Sequence, residues 1–497
     1  MLGAPQLEAT FSRENALRWL LAAGCFALLI FFFSPPWALY ALWARVPEMG
    51  VLLEVRRAAT VLYQIDHLGG QVPDPLHSAI QWRILFPMIG RGLHLPHPLL
   101  FGLAHFGCVA VLAFIVTVLR RNACSWSASG ALAVTLGATS WFFTSAGWLG
   151  YFDSWLVLGL LVAAFGKSRW SLWAACIWAP WVDERFVAAA PLALICRYLY
   201  FQRAGRSIDV KREFGIAVAL VVGFVAVRLG LVAGRSAETA TISGYLNTFV
   251  DGSASWSRVV FGAWSGLRIA WALLVAAVVL VGRANRSHAV LLAAAVLVVA
   301  AVGLFTAQDL SRSMMLLMPV ALLGAISAVN WRPQLLSAAA VLALLLPAHH
   351  VMSNRVNPIF YLYHELGAFD RPPPEAMPEL LELRAVQAME QGDFTAAAES
   401  LSLAIKLARN PAYPSRQRGI LFASQQQWAA ARDDFSVAVK NAPREPDGWF
   451  LRAQAALALG DVAAADADLT QALAVAPAKW QERADVTRFR ARLRQQG

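Results

Sequence analysis

The sequence predicts an all-α protein in two parts: a polytopic transmembrane helical bundle over residues 1–350 and an α-solenoid over residues 378–497. Three observations predict it. Stretches of roughly 18 or more apolar residues recur through the first 350 positions, long enough for helices that cross a bilayer. The chain is 58% hydrophobic and 15% charged, where a soluble chain carries about 25% charged residues, and its mean hydropathy is +0.53. The C-terminal part instead repeats small and large apolar residues every 34 positions.

Candidate spans fall at about 16–33, 98–119, 127–147, 149–165, 170–182, 186–202, 214–232, 269–282, 288–306, 313–329 and 335–347, about 11 in all. Arg13 and Arg18 precede the first, and no small-residue cleavage site follows it, so it reads as a retained span. Short basic loops (Arg120–Arg121, Lys167–Arg169, Arg203–Arg212, Arg283–Arg286, Arg332) all fall on one side. The positive-inside rule makes that side cytoplasmic. The predicted protein is thus a multi-pass plasma (bacterial inner) membrane protein with a cytoplasmic N-terminus. The 34–97 loop, the 233–268 loop and everything after the last span lie on the outer, periplasmic side. Many of the basic residues behind the formal charge of +11 lie in these topological loops, which argues against a nucleic-acid partner. Cys25, Cys108, Cys124, Cys176 and Cys196 lie in or beside apolar spans at no metal-clip spacing, as small buried hydrophobes do. Trp37, Trp43, Trp141, Trp148 and Trp181 fall near outer boundaries, where an aromatic belt is expected.

A linker over 351–377 contains Pro372-Pro373-Pro374, which favours a stiff extended spacer. Beyond it, Ala385, Gly419 and Ala453 share one register, as do Ala397, Ala431 and Ala465, then Leu401, Phe435 and Leu469, then Ala404, Ala438 and Ala472. Pro443 and Pro477 close two repeats, and Gly392-Asp393 and Gly460-Asp461 mark turns within repeats. This pattern resembles three tetratricopeptide repeats, in which small residues let paired helices approach and a large one fills the groove between them. Residues 478–496 read as an amphipathic helix that caps the last repeat.

The acidic residues of the membrane part cluster at one depth. Asp153, Asp183, Glu184 and Asp309 fall at outer helix ends, accompanied by Arg185 and Arg312, while Asp74 and Arg83 precede the second span. Ionisable groups near hydrocarbon must pair or line a wet cavity. A local account pairs Asp183 with Arg185 and Asp309 with Arg312; a sharper one gathers all of them into one site. Guanidiniums suit a lipid phosphate, and carboxylates suit proton transfer or a divalent metal. His349-His350 lacks a third ligand, so it reads as a boundary pair. No phosphate-cradling glycine loop, nucleophile elbow or zinc-protease motif is present.

The many-span body, the large first outer loop, "QWRILFP", "YFDSW", the "DER" turn and "QDLSR" resemble membrane glycosyltransferases of the GT-C superfamily. That resemblance implies transfer of a sugar from a polyprenyl-phosphate carrier to an acceptor on the outer face. It implies Asp74, or else Asp66, as catalytic base, with Arg83, Arg185 and Arg312 on the carrier phosphate. Asp153, Asp183, Glu184 and Asp309 would position sugar hydroxyls, hold a divalent metal or orient the arginines. No cofactor follows from the residues themselves. The pattern departs from the family where an acidic pair usually follows the first span: here the first acid is Glu48. On this reading the repeats recruit a protein or glycan acceptor. Two alternatives remain: a non-catalytic membrane-anchored tetratricopeptide scaffold, and a lipid-linked glycan ligase or polymerase.

Overall fold

The computed structural model describes residues 13–33, 53–69, 80–233, 256–305, 309–328, 331–352, 355–359, 378–390, 392–408, 410–477, 480 and 482–496. Asp74, Trp37, Trp43, most of the first outer loop and the triproline linker lie outside the described residues. The chain forms two compact units, Met1–Phe369 and Asp370–Gly497.

Among the described residues, the regular elements of the first unit are helices apart from one hairpin. Its helices are α1 (Arg13–Phe33), α2 (Leu53–Asp66), α3 (Leu85–Gly92), α4 (His97–Arg121), α5 (Trp126–Gly137), α6 (Ser140–Gly147), α7 (Asp153–Phe165) and α8 (Arg169–Val182). They continue as α9 (Arg185–Arg203), α10 (Val210–Ala233), α11 (Trp256–Leu267), α12 (Ala270–Ala284), α13 (Arg286–Phe305), α14 (Leu310–Ser313), α15 (Met318–Ser327) and α16 (Pro333–Leu345). The expectation of about eleven spans needs correction. Among the described residues five helices are long and apolar enough to cross a membrane, or six if the bent α11–α12 pair is one span. The difference arises because apolar runs in this sequence are broken by geometry that hydropathy does not register. The 127–147 run splits at Thr139, whose backbone is extended. The α11–α12 pair bends by 83° around Arg268, which sits at φ +50°. The two breaks serve one another: buried Arg268 donates from Nη1 to the Ala138 carbonyl at 3.0 Å, satisfying an acceptor freed by the first break.

Tight approaches fix this packing. A Cβ on Gly107 would lie 2.4 Å from Ser154 Oγ, so α4 and α7 meet closely there. A Cβ on Gly324 would lie 1.8 Å from the Leu273 carbonyl oxygen, so α15 lies directly on α12. After α16 the chain forms an antiparallel hairpin, β1 (Ala348–Met352) with β2 (Arg355–Ile359), in register Ala348↔Ile359 to Met352↔Arg355. This corrects the reading of 351–377 as linker from its first residue. Met352 also bridges to Asp309, which ties the hairpin to the segment before α14. His349 and His350 lie on β1. All five cysteines are free and buried.

The second unit bears out the 34-residue period. Helices α17 (Pro378–Glu390), α18 (Phe394–Leu407), α19 (Ala412–Ser424), α20 (Trp428–Asn441), α21 (Pro446–Ala458) and α22 (Val462–Val475) pack as three successive pairs. Ala385, Ala397, Ala431, Ala453 and Ala465 are wholly buried at the crossings. Gly419 replaces alanine where the partner is bulkiest: a Cβ there would lie 2.6 Å from the Phe435 ring. The predicted cap forms as α23 (Arg483–Gln496). Its Val486 joins Ala453, Ala456, Ala465 and Leu469 in one core cluster, with Trp480, Phe489 and Leu493 packed around it. The unit is a helical-repeat solenoid of three helix pairs at a 34-residue period.

Candidate functional site

Seven of the nine residues singled out in the sequence come together. Asp153 opens α7, Asp183 ends α8, Glu184 precedes α9, Arg185 opens α9, and Arg312 sits on α14 just after Asp309. Arg83 lies in the turn before α3. The triplet "DER" is therefore the tip of the α8–α9 hairpin. Asp183 accepts from the Arg185 backbone N–H at 3.0 Å, the two-residue turn that aspartate favours at such corners.

The contacts cross from segment to segment. Arg83 grips Glu184 with two parallel bonds, Nε to Oε2 at 2.9 Å and Nη2 to Oε1 at 2.8 Å. Its Nη1 lies 2.6 Å from Asp183 Oδ2. Arg185 Nη2 donates to Asp183 Oδ2 at 2.7 Å and reaches Asp153 Oδ1 at 3.4 Å. Arg312 holds Asp153 with Nε on Oδ2 and with Nη2 on Oδ1 at 2.6 Å. It also meets Asp309 at 3.2 Å and Asp183 at 3.4 Å. Both the local pairs expected of solvated helix ends and the long-range pairs of a shared site are present. Burial alone would raise the Asp183 carboxyl, but Arg185 and Arg83 reverse this and hold it well below the usual carboxylate range. Glu184 is lowered likewise: burial opposes ionisation, and Arg83 overcomes it.

Of the other two predicted residues, only Asp66 is described, and it is not in the cluster. Asp66 lies at the exposed C-terminal end of α2, and Asp74 is outside the described residues. Sequence reasoning missed Arg57, Tyr151, Ser311 and His350. The Tyr151 ring receives two guanidiniums, with Arg57 4.2 Å and Arg312 4.7 Å from its centroid. His350 packs against Trp148 with ring centroids 4.8 Å apart and planes tilted by 47°, lies 3.4 Å from Ser311 Oγ through Nδ1, and has Nε2 3.9 Å from Asp309 Oδ1. Trp148, read from the sequence as a boundary anchor, is buried against His350 and Tyr151. Gly150 explains how Arg57 arrives: it has φ +81°, and a Cβ there would lie 2.8 Å from the Ala58 backbone nitrogen. Only glycine lets this turn lie so close against α2.

A small cavity opens beside the cluster, lined by Arg57, Gln64, Arg83, Asp153 and Asp183 on its polar side and by Val61, Phe86 and Phe152 among its apolar walls. It has room for about one water-sized sphere. Among the described residues no group of three or more His, Cys, Asp or Glu side chains is placed to hold a metal.

In the repeat unit, sequence reasoning missed a polar ladder in the same 34-residue register. Arg418 binds Asp434 through two bonds, at 2.8 and 2.6 Å, and Ser402 at 2.7 Å. Arg452 binds Asp468 at the same two distances and reaches Ser436 at 3.5 Å. The signal was legible, because Arg418 and Arg452, like Asp434 and Asp468, are 34 apart. Donating to Asp434 raises the Arg418 guanidinium above its ordinary value, and donating to Asp468 does the same for Arg452.

No family model matches the chain, and no curated protein matches it. Among solved structures it has a likeness to the crystal structure of yeast Tom70, with 13% identity and a TM-score of 0.24 over 92% of this chain and 84% of that one. At that score the overlap carries no argument about fold or function.

Proposed function

We propose that the protein is a membrane-anchored scaffold whose helical repeats bind a protein partner outside the membrane. One observation carries this reading: the charge cluster is closed on itself, whereas the repeat unit offers an exposed face. Among the described residues Arg83, Arg185 and Arg312 are each engaged by carboxylates, and the adjoining cavity has room for about one water-sized sphere. By contrast Val386, Tyr413 and Ile420, on the first helices of two successive repeats, are 39%, 48% and 40% exposed. The test is complementation of a strain lacking the gene. Deleting residues 370–497 is expected to abolish function, while Asp74→Asn and Asp66→Asn leave it intact. Loss of function in the aspartate variants at normal protein level would overturn the scaffold reading.

The meeting of seven predicted residues from separate segments favours a second reading. On that reading the first unit moves a sugar from a polyprenyl-phosphate carrier, with Asp74 or Asp66 as base and the three arginines around the phosphate. Asp153, Asp183, Glu184 and Asp309 then position the sugar or a divalent metal. A ligase or polymerase would share this chemistry and move a preassembled glycan instead. Purified protein in nanodiscs, given radiolabelled polyprenyl-phosphate-sugar with and without Mg²⁺ or Mn²⁺, is the test. Label transfer that is lost in Asp74→Asn would establish it; absence of turnover with any acceptor would remove it.

A further inference from the structure

Arg57, Val61 and Gln64 are spaced i, i+4 and i+7 on α2, so one face of that helix lines the small cavity beside the cluster. Two polar atoms on this face lack partners. Gln64 is 1% exposed and Arg57 6%. Among the described residues Gln64 Oε1 accepts no hydrogen bond and Arg57 Nε donates none. Gln64 Nε2 donates to the Ile80 carbonyl at 3.0 Å, which fixes the amide and leaves Oε1 as its free end. A buried polar atom left unpaired carries its full desolvation penalty, so such atoms are rare in folded proteins.

Arg83, Asp153 and Asp183 supply further polar groups to the lining. Nη1 of Arg83 lies 2.6 Å from Asp183 Oδ2 without the alignment of a hydrogen bond, so its N–H groups still seek an acceptor. Asp183 is taken up by the backbone and side chain of Arg185 and by Arg312. Asp153 accepts from Arg312 on both oxygens and from Arg185 on Oδ1, which leaves room for a further donor on Oδ2. The lining thus offers donors from Arg57 and Arg83 and acceptors from Gln64 and Asp153. An anion would face the carboxylates, and a cation would face the guanidiniums. A water molecule donates two hydrogen bonds and accepts two, and the room available is about that of one water. We infer that the cavity holds one ordered water, which accepts from Arg57 and Arg83, donates to Gln64 Oε1 and Asp153, and so fastens α2 to the charge cluster. The site is independent of what the repeats bind and of whether sugar is transferred.

The first test is a crystal structure of the full chain, with bromide in place of chloride, at a resolution that shows ordered waters. One peak is expected at about 2.7–3.2 Å from Gln64 Oε1 and Arg57 Nε, without anomalous signal. An unfilled cavity, a bromide signal, or a peak at the roughly 2.0–2.6 Å of a metal–oxygen contact would each overturn the proposal. The second test is a double-mutant cycle read by thermal unfolding of the full chain in detergent. Val61 is buried against the cavity, and Val61→Ile pushes one methylene group into it. In a dry cavity that group fills empty space; in a hydrated one it expels the water and strands Arg57 and Gln64. Val61→Ile is expected to lower the midpoint by roughly 2–4 °C in the wild type and not to lower it in Gln64→Leu, where the water has already lost its acceptor. A gain or no change in the wild type refutes the site. So does an equal loss in both backgrounds, which is the mark of overpacking alone. Should Val61→Ile fail to fold, the density decides.

Discussion

The second repeat carries a defect that its two neighbours do not share, and repairing it should stabilise the solenoid by a calculable amount. Between the two helices of each repeat the chain turns through a left-handed residue. In the first and third this is Gly392 at φ +78° and Gly460 at φ +81°; in the second it is Gln426 at φ +60°. The next residue caps the following helix. Asp393 and Asp461 each accept from the backbone N–H three residues on at 3.0 Å, whereas Gln427, in nearly the same backbone conformation, makes no such cap. A side chain in the left-handed region costs about 1–2 kcal/mol, and glycine surrenders about 0.5–1 kcal/mol of that through unfolded-chain freedom. Replacing an ineffective cap by aspartate adds about 1 kcal/mol. Gln426→Gly with Gln427→Asp should therefore stabilise the unit by about 1–2.5 kcal/mol. Urea and thermal unfolding of the 370–497 fragment, which is one compact unit, would read this by circular dichroism as a rise of roughly 5–10 °C. The reciprocal change in the third repeat, Gly460→Gln with Asp461→Gln, should cost a similar amount. If the repaired fragment is no more stable than the parent, the periodic reading of these turns is wrong.

Further outcomes follow from named contacts. Arg312→Leu, which strands Asp153, should destabilise the first unit by about 3–5 kcal/mol, and Asp153→Leu on top of it should recover a large part, read by thermal unfolding in detergent. Gly324→Ala should prevent close packing of α15 on α12, because the new methyl would lie 1.8 Å from the Leu273 carbonyl oxygen; loss of monodisperse protein on gel filtration would register it. Asp434→Ala should cost about 1.5–3 kcal/mol by removing the bidentate partner of Arg418, measured by urea unfolding of the repeat fragment. His350 is held below its ordinary value, chiefly by burial and against the pull of Asp309. The docked hairpin therefore favours the neutral ring. Its docking should be complete above the undocked value of about 6.5 and weaken as pH falls through it toward the lower docked value. Amide hydrogen exchange over 348–359, faster at pH 5 than at pH 8 after correction for intrinsic rate and insensitive in His350→Gln, would confirm the sign.

The repeat unit was legible because its information is one-dimensional. Each register position recurs at fixed spacing, and even the exception at Gly419 is explained by its neighbour Phe435. The cluster was legible in part: Arg83, Asp153, Asp183, Glu184 and Arg312 announced themselves as charges in apolar surroundings, and their burial demanded partners. Arg57 and His350 were not legible, since α2 reads as polar outer loop and His349-His350 as a boundary pair; only the close turn at Gly150 and the bridge of Met352 to Asp309 bring them in. Span number was the least legible quantity. Hydropathy sums composition along a run, whereas Thr139 and Arg268 break runs through backbone angles that composition leaves unspecified.

The long reach of the Arg312–Asp153 contact, 159 residues apart in sequence, bears on how the chain is made. A ribosome that has delivered α7, α8 and α9 has placed Asp153, Asp183 and Glu184 with Arg83 and Arg185, leaving Asp153 with only the 3.4 Å contact to Arg185. The main counter-charge arrives on α14, after α10 to α13 have been synthesised. Until then the nascent bundle carries a poorly compensated carboxylate, a condition that membrane quality control can detect. Completion of the cluster is thus a late assembly step. Chains truncated before Leu310 should be degraded faster than chains truncated just after the hairpin.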